Sequence, residues 1–133
     1  MNDESFDRLW LIAYRMERAH ETLHDAELLF EQGGSPASIV NRAYYAMFYA
    51  VLALLITIGA GSSKHGGVIA LFDEHFVKQG KFPKEVSKIL HRTFDLRQIG
   101  DYRELLNLDK IQAEESLAAA RKFVQDAAQY LAS

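Results

Sequence analysis

From Phe6 to Phe30, apolar side chains recur every three or four positions: Phe6, Leu9 and Trp10, Ala13, Met16, Leu23, Ala26 and Phe30. That spacing is close to 3.6 and predicts an amphipathic helix over residues 5–32. Gly33 and Gly34 end it, because glycine accepts the left-handed backbone on which many helices terminate. Ser35 and Pro36 then form a start signal, a hydroxyl cap followed by a ring that needs no N–H at the first helical position. The helix they open runs to Gly59 and loses its polar face, since residues 43–60 (AYYAMFYAVLALLITIGA) pass without a charge. Such a stretch is either a membrane span of minimal length or a central helix buried on all sides. The amphipathic segments around it need an apolar surface to cover, which favours the central helix.

The remaining pattern is also helical. GAGSSKHGG, residues 59–67, reads as a glycine-rich connector. Val68, Ile69, Phe72 and Phe76 set a shorter helix over 67–79, stopped by Gly80. Pro83 opens a fourth, with Val86, Ile89, Leu90, Thr93, Phe94 and Arg97 at helical spacing, and residues 100–108 read as a loop. Asp109 caps a last helix over 110–131, whose stripe is Ala113, Leu117, Ala120, Val124, Ala127, Ala128 and Leu131. No run alternates in the manner of a strand. The expectation is one all-α domain over residues 1–133, an up-and-down bundle of four or five helices.

Composition narrows the function. With 133 residues the chain suits one domain, and zero cysteines exclude disulfides, thiolate metal sites and cysteine nucleophiles. Fifteen Lys and Arg against 18 Asp and Glu give a net charge of −3, so bulk charge would not hold nucleic acid, although a local basic site could. The first residues, Met1-Asn2-Asp3-Glu4, are acidic where a secretory signal is basic, and the expected location is the cytoplasm.

Three constellations could carry chemistry. HETLH, residues 20–24, places His20 and His24 one helical turn apart with Glu21 between them, as in helical zinc proteases. No third ligand follows at a suitable spacing, so no metal and no other cofactor is expected. The second is RQIGDYR, residues 97–103, where Arg97, Asp101, Tyr102 and Arg103 crowd a helix end. Arginine is the side chain best shaped for phosphate, while an Arg97–Asp101 pair four apart would be the purely structural outcome. The third is Asn41-Arg42 with Tyr44-Tyr45, at the polar entry to the apolar helix. Arg42 must reach solvent or an anion there, for instance Asp25, Asp101 or a ligand, because an unpaired buried guanidinium is costly.

NRAYYAMFYAVLALL (41–55), KHGGVIALFDEHFVKQGKFPKE (64–85) and RTFDLRQIGDY (92–102) together resemble the HEPN family, in its small stand-alone prokaryotic branch. The resemblance implies a helical bundle that forms a homodimer. It also implies a minimal nucleotidyltransferase as partner, in toxin–antitoxin or related two-component systems. Active members cleave RNA without metal, using an Arg followed four to six residues later by a His. Arg97 matches the Arg, but Asp101 and Tyr102 stand where the His belongs. Arg15 with His20, and Arg18 with His24, also satisfy the spacing, but they lie in the first helix and not after the third matching block. The resemblance therefore implies a binding or regulatory subunit holding nucleotide or RNA through Arg97, Asp101 and Tyr102, supported by Asn41, Arg42 and Tyr45. The alternative is a ribonuclease toxin with a degenerate motif, in which Arg97 and Asp101 are catalytic. In the related systems the partner can attach AMP to a tyrosine just beyond the motif, the place that Tyr102 occupies here.

Overall fold

The structure is a computed structural model that describes the backbone of residues 3–100 and 108–133 and the side chains of residues 6–96 and 108–133. Five α-helices account for most of it: α1 Asp3–Glu31, α2 Pro36–Ile56, α3 His65–Phe72, α4 Lys84–Gly100 and α5 Lys110–Ala132. One π-helical turn, Asp73–Val77, extends α3. There is no strand among the described residues, and the architecture is the all-α bundle that the periodicity predicts.

Caps set the boundaries as expected. Gly33, at φ +74°, closes α1: the Gly34 N–H reaches Leu29 O at 2.7 Å and the Gly33 N–H reaches Phe30 O at 3.3 Å. Those paired bonds need a left-handed residue between them, which glycine adopts without a Cβ clash. The Ser35 hydroxyl then accepts the Ser38 N–H at 3.2 Å, with Pro36 at the first position of α2. On α5, the Asp109 carboxylate accepts the Gln112 N–H at 2.8 Å while the Gln112 amide oxygen accepts the Asp109 N–H at 2.9 Å, a reciprocal capping box.

α2 is the centre of the bundle, packed against α1, α3, α4 and α5. α1 and α2 run antiparallel, so Arg18 meets Tyr49 and Asp25 shares a groove with Arg42. Ala43, Ala46, Ala50 and Ala53 are fully buried along α2, as are Ala19 and Ala26 on α1. Small side chains at that spacing let neighbouring helices approach closely. A second cluster stacks Phe72, Phe76, Phe82, Phe123 and Tyr130 where α3 and its π turn meet α5, with ring centroids 5.5–6.1 Å apart. α2 is also long and apolar enough to cross a membrane, but 67% of that stretch is buried inside the fold, as befits a core helix.

Two expectations need correction. The segment 59–67 is not all connector: α3 begins at His65, with Gly66 and Gly67 in its first turn. Burial of Val68, Ile69 and Phe72 in the core outweighs the poor helix propensity of the glycines, about 1 kcal/mol each. The first turns of α1 do not bury their apolar residues, since Phe6, Leu9 and Trp10 are 58%, 65% and 60% exposed. That part of the helix carries its apolar stripe without a covering element.

Candidate functional site

The site grows from the first half of α2. Tyr44, Tyr45 and Phe48 occupy adjacent positions of one face, and Asn41 lies one turn earlier on the same face. Tyr44 and Phe48 are buried, Asn41 and Tyr45 half-buried. Opposite them, the start of α3 presents His65, half-exposed, whose ring stacks on Phe48 at 4.2 Å and 19°. Its Nδ1 lies 2.9 Å from the Tyr44 hydroxyl. The hydroxyl donates to Nδ1 when the imidazole carries its proton on Nε2. Tyr45 meets the same imidazole edge-on at 5.8 Å, and Phe94 of α4 closes the group at 6.5 Å from His65 and 5.6 Å from Tyr44. Tyr44, Tyr45 and His65 each make further interactions besides these. Three helices thus converge on one imidazole.

A second arc runs along the edge between α1 and α2. Arg42, Tyr45 and Tyr49 follow at helical spacing, and Arg18 of α1 reaches Tyr49. The Arg18 guanidinium donates to the Tyr49 hydroxyl at 3.4 Å and lies 5.2 Å from the ring centroid. The bond to Tyr49, followed by charge attraction to the same group, pushes the Arg18 pKa further up, so it is a permanent cation. Arg42 is exposed and lines a groove of about 350 Å³ with Asp25, Leu28, Leu29 and Gln32. Among the described residues it forms no ion pair. Of its expected partners, Asp25 shares the groove with Arg42 without an ion pair, and Asp101 lies outside the described residues.

Of the sequence-predicted residues, the structure brings Asn41 and Tyr45 to the His65 face and turns Arg42 toward α1. Arg97 lies on α4, one turn beyond Phe94 and on the same side of the helix. Asp101 and Tyr102 fall outside the described residues. Spacing alone missed His65, because its main partner Tyr44 is 21 residues away. The available signal was a histidine between a hydroxyl-rich loop and two glycines, within a block that already matched the family.

Two other histidine sets do not form comparable sites. His20 and His24 are exposed on α1, and no cluster of three or more potential metal ligands exists among the described residues. Asp73, at the π turn, accepts from Ser87 Oγ at 2.7 Å and from His91 Nε2 at 2.7 Å. The carboxylate lies between the other two groups, so Ser87 gives its proton to Asp73 and is not poised as a nucleophile. This trio ties the π turn to α4.

The fold and site together define a small helical protein with a guanidinium-and-tyrosine edge and a single clamped imidazole beside the arginine-bearing end of α4. The chain belongs to the HEPN domain family, whose model matches residues 12–130. A UPF0332 protein of Thermotoga maritima is 43% identical over 114 residues, covering 86% of each chain. Another UPF0332 protein, from Gloeobacter violaceus, is 34% identical over 88% of this chain and 93% of its own length. A Methanocaldococcus jannaschii protein called "Putative toxin MJ0142" is 31% identical over 89% of this chain and 80% of its own length.

Proposed function

We propose that the chain is a toxin-like HEPN protein that acts on RNA as a symmetric homodimer in the cytoplasm. In this reading it needs no metal or cofactor, and a minimal nucleotidyltransferase partner holds it in check. The observation that carries the reading is the edge on which the Arg18 guanidinium stands over the Tyr49 ring, with Tyr45 and Arg42 following at helical spacing along α2. Guanidinium groups bind phosphate and tyrosine rings stack on unpaired bases, a combination suited to single-stranded RNA. It sets two cations on one edge of a chain whose net charge is −3, with Glu21 3.5 Å from Arg18 and Asp25 in the Arg42 groove. The toxin name of a relative sharing most of this chain's length supports the same direction.

Homodimerisation also has structural support, although from an element other than α2. The apolar length of α2 is consumed inside its own bundle, whereas Phe6, Leu9 and Trp10 leave an apolar surface on α1. A second copy would cover that surface, since a two-fold dimer uses the same patch twice. Arg97 would stabilise negative charge on a phosphoryl group. Asp101 and Tyr102 would complete the site, with Tyr102 the acceptor of AMP from the partner.

A second reading is favoured by one feature, the Asp at position 101 where active relatives carry a histidine. In it the protein binds nucleotide or RNA as a regulatory subunit without cleaving. Expression of wild-type and Arg97→Ala chains in a bacterial host without the partner separates the two. Growth arrest with the wild type and growth with Arg97→Ala supports the toxin. Normal growth with both, at equal soluble protein levels, supports the regulatory subunit.

A further inference from the structure

We propose that His65 is the proton-transfer residue of this site, supplied from the start of α3 in place of the histidine that the α4 motif lacks. The proposal rests on the ribonuclease form of the toxin reading. Among the described residues, His65 differs from the other four histidines in its surroundings. His20 and His24 stand in solvent on α1. His75 lies beside Glu74 within the π turn, and His91 uses its Nε2 to bind Asp73. His65 alone is both half-exposed and clamped, between the Phe48 ring at 4.2 Å and the Tyr44 hydroxyl at 2.9 Å.

Direction is what the clamp supplies. A fully buried tyrosine engages Nδ1 and fixes the ring plane, so Nε2 has one orientation; with Nδ1–H donating to the Tyr44 oxygen, the lone pair that takes a proton lies on Nε2. Phe94 lies against the same imidazole, and Arg97 is one turn further along that side of α4. A phosphodiester bound at Arg97 would therefore lie beside the face to which α3 brings His65. No other described element brings an imidazole there.

The chemistry closes without a co-reactant. A ribose 2′ oxygen attacks the adjacent phosphorus, forming the O2′–P bond as P–O5′ breaks. The imidazole takes the 2′-hydroxyl proton and returns one to the departing 5′ oxygen, leaving a 2′,3′-cyclic phosphate and a 5′-hydroxyl. Tyr44 acts through His65 and is a positioning residue.

The test compares wild type, His65→Asn, His65→Gln, His65→Ala and Tyr44→Phe on an end-labelled single-stranded RNA, with a chelator present. Asparagine can keep a polar atom near the Nδ1 position while removing proton transfer. Each variant's fold is checked by circular dichroism, and its affinity by titration with an all-2′-deoxy copy of the strand, which cannot be cleaved by this route. We expect His65→Asn and His65→Gln to lower the cleavage rate by about 100-fold or more, the usual scale for general acid–base catalysis. Affinity should stay within about twofold, because the phosphate contacts remain. Added imidazole should restore part of the rate in His65→Ala, which a merely structural histidine would not allow. Wild-type cleavage with His65→Asn or His65→Gln folded and equally fast would overturn the role of His65 and leave the ribonuclease reading standing. A folded wild type that binds RNA and leaves it intact would overturn that reading, and this proposal with it.

Discussion

Removing only the Tyr44 hydroxyl tests whether the clamp on His65 is a real energetic coupling. Tyr44 is 0% exposed and its oxygen is 2.9 Å from Nδ1. In Tyr44→Phe the ring keeps its place among Phe48, His65 and Phe94, so packing is conserved and the hydrogen bond to His65 is lost. The net worth of such a bond is about 1 kcal/mol, which for a chain of this size lowers the melting midpoint by roughly 3–5 °C. His65→Ala costs more, about 2 kcal/mol, because the stack on Phe48 goes as well. It also leaves the Tyr44 hydroxyl buried without its imidazole partner, a penalty that Tyr44→Phe then relieves. A double-mutant cycle should therefore give a coupling energy of about 1 kcal/mol or more. The assay is urea unfolding followed at 222 nm, at one fixed protein concentration because dimerisation would add to stability. A coupling below about 0.3 kcal/mol would refute the reasoning, since independent sites add to within that margin.

Three further outcomes are expected. Phe72→Ala should destabilise by roughly 3–5 kcal/mol in the same assay, because its fully buried ring touches Phe76, Phe82 and Phe123; Phe72→Leu should cost less than half as much. Asp109→Ala should cost about 1 kcal/mol through loss of the α5 capping box, and Asp109→Asn much less. Sedimentation at micromolar concentration should show about twice the chain mass of 15.1 kDa, and Trp10→Glu should return it to the monomer; a wild-type monomer would contradict the dimer.

The helices were legible because their signals are local. Ser35 with Pro36, Asp109 with Gln112, and the glycine at 33 each act within four residues of where they stand, and the structure uses all of them. The π turn at Asp73–Val77 was not legible, since an i to i+5 register leaves no distinct mark on apolar spacing. His65 was hidden for two physical reasons. Core burial of Val68 and Phe72 draws the helix start back across two glycines, and Tyr44 lies on another helix. The outward turn of Arg42 follows from geometry: Ala43 and Tyr44 take the buried side, and one step of about 100° back along the helix leaves that face. The exposed Phe6, Leu9 and Trp10 show the limit of periodicity, which marks an apolar stripe without saying which surface covers it.

In this reading RNA runs from the edge of Arg18, Tyr49, Tyr45 and Arg42 into the place where α2, α3 and α4 converge. Photochemical crosslinking of a single-stranded RNA to the wild-type protein, with the modified peptides mapped by mass spectrometry, tests it most directly. The account predicts crosslinks on peptides that carry Tyr45, His65 and Arg97, and their loss from all three in Arg97→Ala. Crosslinks confined to the His20–His24 face of α1 or to α5, or none at RNA concentrations that saturate binding, would contradict it.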